Sequence, residues 1–163
     1  MPEFQWVAVK VTPHLHGLQD GLTEERELES AKDTGRYLRA GAMRSYLYSA
    51  PQTLTGYGDF LREISRQVPA ATAWLIESGG IEREILEEIA GPVVSLAVVS
   101  GDAAEWKPSL ASRLSFIDAL LLTKGLLTEQ LSPRFCIRRS FGLPEGEWVT
   151  AELLAFVRER LLV

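Results

Sequence analysis

The chain holds one cysteine, Cys136, two histidines and no asparagine, and four lysines stand against thirteen arginines. A single thiol excludes a disulfide within the chain and a thiolate zinc site built from one copy. That usage fits a reducing compartment. No apolar run approaches the roughly twenty residues that a membrane helix needs. Met1 to Gln5 lacks the basic-then-apolar order of a secretory signal. These absences set the expectation of a cytoplasmic protein. The missing asparagine and the excess of arginine read as a GC-rich coding bias in preference to a warm-growing source; a bacterial source is expected.

Chemical signatures are scarce as well. Gly56-Tyr57-Gly58 and the pair Gly79-Gly80 make neither a dinucleotide fingerprint nor a phosphate-binding loop. GxSxG, CxxC and HExxH are all missing. A net charge of −5 weakens any general attraction to nucleic acid or to an anionic membrane, and no cofactor is expected.

The composition that remains is that of a folded globule. Apolar residues make up 46% of the 163 and charged residues 24%, which excludes a disordered chain. The length suits one domain, residues 1–163. Phe4 to Val11 alternates as a strand, with Val7, Val9 and Val11 on one face, and it stays apolar on both faces until Lys10. Thr23 followed by Glu24 and Glu25 reads as the start of a weakly amphipathic helix over 24–32, interrupted by Gly35. Tyr46 and Tyr48 alternate with Ser45, Leu47 and Ser49, the pattern of a strand. Phe60, Leu61, Ile64 and Val68 form a helical stripe closed by Pro69, and Ile81, Ile85, Leu86 and Ile89 form another, closed by Gly91-Pro92. Residues 72–78 read as a strand. The valine-rich run over 92–101 predicts a central strand buried on both faces. Leu110, Leu114, Ile117 and Leu121 predict a helix over 109–125. Residues 134–141 alternate as a strand, and Leu153, Leu154, Val157 and Leu161 predict a last helix capped by Thr150. The expected fold is α+β, a single domain with a mixed sheet of about four to six strands packed against amphipathic helices.

Four groups of residues carry what chemistry there is. His14 and His16 follow the first strand, where a continued strand would aim both the same way. His-Leu-His in that place resembles the metal motif of amidohydrolase barrels over those residues alone. Such a barrel needs about 250 residues, and the third ligand would have to be a carboxylate such as Asp20 or Glu24. Two surface histidines in a loop is the commoner arrangement. Asp118, the sole charge in an apolar stretch, is a weak candidate for a catalytic carboxylate. It is more often a helix-edge residue paired with a cation, for which Arg138 or Arg139 is the expected partner. Arg134, Arg138 and Arg139 could grip an anion or an acidic partner, although a row of arginines is commonly the solvated face of an edge strand. Tyr46, Tyr48 and Trp106 are of the types favoured in protein interfaces.

With no catalytic signature, the expected function is that of a protein-binding module of regulatory, accessory or immunity type, without catalytic activity. Its partner is another protein, with a second copy of the chain as one option. The alternative is a small enzyme or ligand-binding domain that uses Asp118 and Arg138, or a metal on His14 and His16.

Overall fold

The computed structural model describes residues 5–12, 21–49, 57–70, 72–78, 83–100, 114, 117–123, 139–143 and 149–161. The elements run β1 (Trp6–Thr12), β2 (Gly21–Glu25), α1 (Asp33–Arg39), β3 (Arg44–Ser49), α2 (Tyr57–Ser65), β4 (Ala73–Glu77), α3 (Arg83–Ala90), β5 (Leu96–Val99), β6 (Ala119–Leu122), β7 (Ser140–Gly142) and α4 (Ala151–Leu161). The fold is α+β: these four helices accompany one sheet of four strands and one of three. The chain divides into two compact units, Met1–Gly91 and Pro92–Val163, each with its own sheet. Among the described residues no helix is long and apolar enough to cross a membrane.

In the first unit the strand order is β2-β3-β1-β4. β3 and β4 both pair parallel with β1, and β2 pairs antiparallel with β3, so the sheet is mixed. Val9, Val11 and Tyr46 face α2 and α3 and close over Phe60, Leu61 and Ile64, with Trp74, Ile76, Ile85, Leu86 and Ile89 at the margin. The opposite face carries Ala8, Lys10 and Thr12 of β1, and α1 packs there, reaching Lys10 through Asp33. Val7, Ala8 and Val9 have no exposure at all, as expected of a strand covered on both sides. Both stripe helices form where their spacing places them, and Tyr46 and Tyr48 do lie on a strand.

The expected helix over 24–32 is corrected. Residues 21–25 form β2, an end strand among the described residues, and helix begins only at Asp33. Leu22 and Glu24 pair with Tyr48 and Tyr46, so a single leucine supplies the apolar contact that an end strand needs. Glu25 does cap backbone N–H groups, but those of Arg26 and Glu27 in the following turn, at 3.1 Å each. Gly35 lies within α1 and does not interrupt it.

In the second unit β5, β6 and β7 are all parallel, in that order. The expectation of a central strand over 92–101 is corrected. Among the described residues β5 is an end strand of this sheet, with Leu96 39% and Val98 68% exposed. The central strand is β6, whose four residues are all buried, in a segment whose spacing predicts a helix. A short continuous apolar run fits a doubly covered parallel strand as well as a buried helix, so periodicity alone cannot separate them. Ala119 and Leu121 pack on Phe141, Leu153 and Phe156; Leu120 and Leu122 pack on Val99 and Leu114. In α4 the inward residues are Leu153, Phe156 and Val157, while Leu154 and Leu161 stay exposed. Thr150 caps this helix as expected, its Oγ1 accepting the Leu153 N–H at 3.2 Å.

Candidate functional site

β1 lies where the strand order of the first sheet reverses. β3 is on one side of it, reached by way of α1 on one face, and β4 is on the other, reached by way of α2 on the opposite face. In open sheets with parallel strands the crevice for a ligand forms at the carboxyl ends of the strands at such a reversal. Here those ends carry Lys10 and Thr12 of β1, Ser49 of β3 and Glu77 of β4. Lys10 is level with Glu77 in the ladder and Thr12 with Ser49.

Five side chains from three elements meet at this edge. The Lys10 ammonium donates to Asp33 Oδ2 and, at 2.8 Å, to Glu77 Oε1. The Tyr37 hydroxyl donates to Glu77 Oε2. Arg36 Nη1 donates to Asp33 Oδ1 at 3.2 Å. Thr12 and Ser49 are buried beside them, so the edge combines charges of both signs with hydroxyl groups. The cluster is partly open to solvent, with the Lys10 side chain 27% and Glu77 52% exposed.

The local field moves the pKa values of Lys10, Asp33 and Tyr37 away from neutral pH. Burial works against the Lys10 charge, but the hydrogen bonds and negative charges of Asp33 and Glu77 outweigh it and hold its pKa above the ordinary value of 10.5. The hydrogen bond from Lys10 keeps Asp33 below the usual 3.8, against a smaller desolvation effect. Burial, the bond to Glu77 and two nearby carboxylates push the Tyr37 phenol well above 10.0.

These directions fix a pH dependence. Asp33 has a folded pKa below its unfolded one, so its contribution to stability is present above the ordinary aspartate value and is lost as pH falls through the folded value. Lys10 and Tyr37 have raised folded values, so theirs is present below their ordinary values and is lost as pH climbs through the folded ones. Stability should be level through neutrality and decline below 3.8 and above 10.0. Lys10→Met should flatten both limbs in urea denaturation across a pH series; equal limbs in the two proteins would contradict the pairing.

The residues singled out by sequence fall elsewhere. His14, His16, Trp106, Arg134 and Arg138 lie outside the described residues. Asp20 does too, and Glu24 is engaged by Arg26 and, at 3.6 Å, by Arg44. Among the described residues no three metal-ligating side chains gather. Asp118 is 4% exposed at the amino end of β6, where its Oδ2 accepts the Ser95 N–H at 2.8 Å. Arg160 Nη1 stands 3.3 Å from Asp118 Oδ1; of the two partners expected from the sequence, Arg138 lies outside the described residues. The Arg139 guanidinium stacks over Phe141 and Phe156, at 5.3 and 5.1 Å from the ring centres.

Tyr46 and Tyr48 come together in a groove on the α2 face of the first sheet. β2 and β3 contribute Leu22, Glu24 and the two tyrosines; α2 and the turn after it contribute Asp59, Phe60, Glu63 and Gln67. The Tyr46 ring is buried, and Tyr48 stacks on Phe60. No family model matches the chain, and no curated protein or solved structure is significantly similar to it.

Proposed function

We propose that the first unit binds a small polar molecule at the carboxyl edge of its sheet, recognised by Lys10, Asp33, Tyr37 and Glu77. The observation that carries this reading is the convergence of β1, α1 and β4 on one charged cluster at the point where the strand order reverses. Lysine on a central strand is a poor choice for stability, because the ammonium must keep partners as it leaves water. A function that needs the charge accounts for it.

The ionisation pattern supports binding over proton transfer. A general acid or base works best with a pKa near the working pH, whereas Lys10, Asp33 and Tyr37 are all driven further from neutrality. Lys10 and Asp33 act as fixed charges, and Tyr37 stays a neutral hydroxyl donor. An anionic or hydroxyl group on the ligand would meet the Lys10 ammonium, and a cationic group would meet the Asp33 and Glu77 carboxylates. This favours a zwitterionic or polyhydroxylated molecule.

A thermal-shift panel of amino acids, hydroxy acids and sugar phosphates tests the reading. A true ligand raises the midpoint of the wild-type protein by mass action and leaves Lys10→Met and Glu77→Gln unmoved. Compounds that shift all three proteins alike would refute it.

A further inference from the structure

The groove on the other face of the same sheet has a different character and stands independently of the Lys10 site. Its volume is about 570 Å3, within the range of recognition pockets. Tyr48 and Phe60 form an aromatic wall, stacked with ring centres 4.0 Å apart and 17° between planes. Glu24, Asp59 and Glu63 supply three carboxylates; among the described residues no lysine or arginine is part of the lining, while Arg44 Nη1 donates to the Tyr46 hydroxyl and to Gln67 Oε1 at 3.1 Å each. Cations reach two of the three from outside. Arg26 and Arg44 approach Glu24 at 3.1 and 3.6 Å, and Arg62 approaches Asp59 at 3.4 Å. The Arg26 and Arg62 pairs are open to water, contribute little and exchange readily for another cation, whereas Arg44 is also held by Tyr46 and Gln67. Glu63 accepts a bond from the Gln67 amide at 3.4 Å, and among the described residues no lysine or arginine pairs with it.

We propose that this groove takes an arginine-bearing segment of a partner protein. A guanidinium suits both parts of the lining: its flat face stacks on aromatic rings, and its edge donates two parallel hydrogen bonds to a carboxylate. The net charge of −5 draws a basic segment toward the surface. β2 borders the groove as an end strand among the described residues, so an extended segment can add to its outer edge while side chains enter the groove.

The test is an amide-shift NMR titration of the whole chain with hexa-arginine at physiological salt, with hexa-lysine as the control. Asp59 and Glu63 are exposed, so the double variant Asp59→Asn, Glu63→Gln keeps the fold. Shifts should concentrate on Leu22, Glu24, Tyr48, Phe60 and Glu63. Hexa-lysine should bind more weakly, and the double variant should lose affinity for hexa-arginine by about fivefold. Lys10→Met should bind as the wild type does. Absence of binding, shifts spread over the acidic surface, equal affinity for the two peptides, or an unchanged double variant would each overturn the proposal.

Discussion

Replacing Asp118 with alanine should destabilise the second unit by about 2–3 kcal/mol, most of it from a single orphaned backbone group. Asp118 and Ser95 are doubly joined. The Asp118 N–H donates to the Ser95 carbonyl at 2.9 Å, and the Ser95 N–H returns a bond to Asp118 Oδ2 at 2.8 Å. The pair sits where the chain enters β5 and β6, so it sets their register. Alanine keeps the first bond and leaves the Ser95 N–H without its partner. The Arg160 side chain is 51% exposed and regains water when the carboxylate goes, so its share is small. Arg160→Met should therefore cost well under about 1 kcal/mol, and Asp118→Asn should fall between, since its amide oxygen still accepts from Ser95. Hydrogen exchange at the Leu120 and Thr123 amides in increasing urea reads this unit alone. Asp118→Ala with unchanged protection would show that the carboxylate does not anchor the strands. Its position at the amino end of the parallel strands, away from the end where ligands collect, favours this structural role over catalysis.

Gly35→Ala should cost about 1–2 kcal/mol and dislodge the Lys10 cluster, although alanine is the better helix former. Helix propensity alone would favour the change by about 1 kcal/mol. Sterics oppose it more strongly. A Cβ at residue 35 would lie 2.4 Å from the Ser30 carbonyl oxygen and 2.7 Å from the Ser30 Cβ. The carbonyl belongs to a turn that is tied at both ends, by the Glu25 carboxylate on the Arg26 and Glu27 N–H groups and by Arg39 Nη1 at 2.9 Å from that same oxygen. The turn cannot yield cheaply, so α1 must shift, and Asp33 and Tyr37 move with it. The urea midpoint should fall, and the acid and alkaline limbs should approach those of Lys10→Met. A neutral or stabilising Gly35→Ala would contradict the close approach of α1 to the turn.

Periodicity was sufficient where one face of an element is apolar and a breaker marks its end, as in α2 with Pro69 and α3 with Gly91-Pro92. It failed where burial is double or minimal. Ala119 to Leu122 is apolar throughout because both faces are covered, which erases the alternation that distinguishes strand from helix. Gly21 to Glu25 is polar because only Leu22 must pack, and the pairing with β3 overrides the capping signal of Thr23. The Lys10 cluster was almost invisible for another reason. Its partners lie 23 and 67 residues away, on separate elements, and no local motif joins them. The one trace in the sequence is a lysine breaking an apolar strand, which read there as the end of the pattern and not as a site.

Equilibrium dialysis of the intact chain against a small-molecule extract, read by mass spectrometry, addresses the carboxyl-edge site most directly. The wild-type protein and Asp118→Asn should both concentrate at least one polar compound, and Lys10→Met and Glu77→Gln should both release it. A wild-type protein that concentrates nothing, or a compound retained equally by the Lys10 and Glu77 variants, would contradict a binding site at the carboxyl ends of β1 and β4.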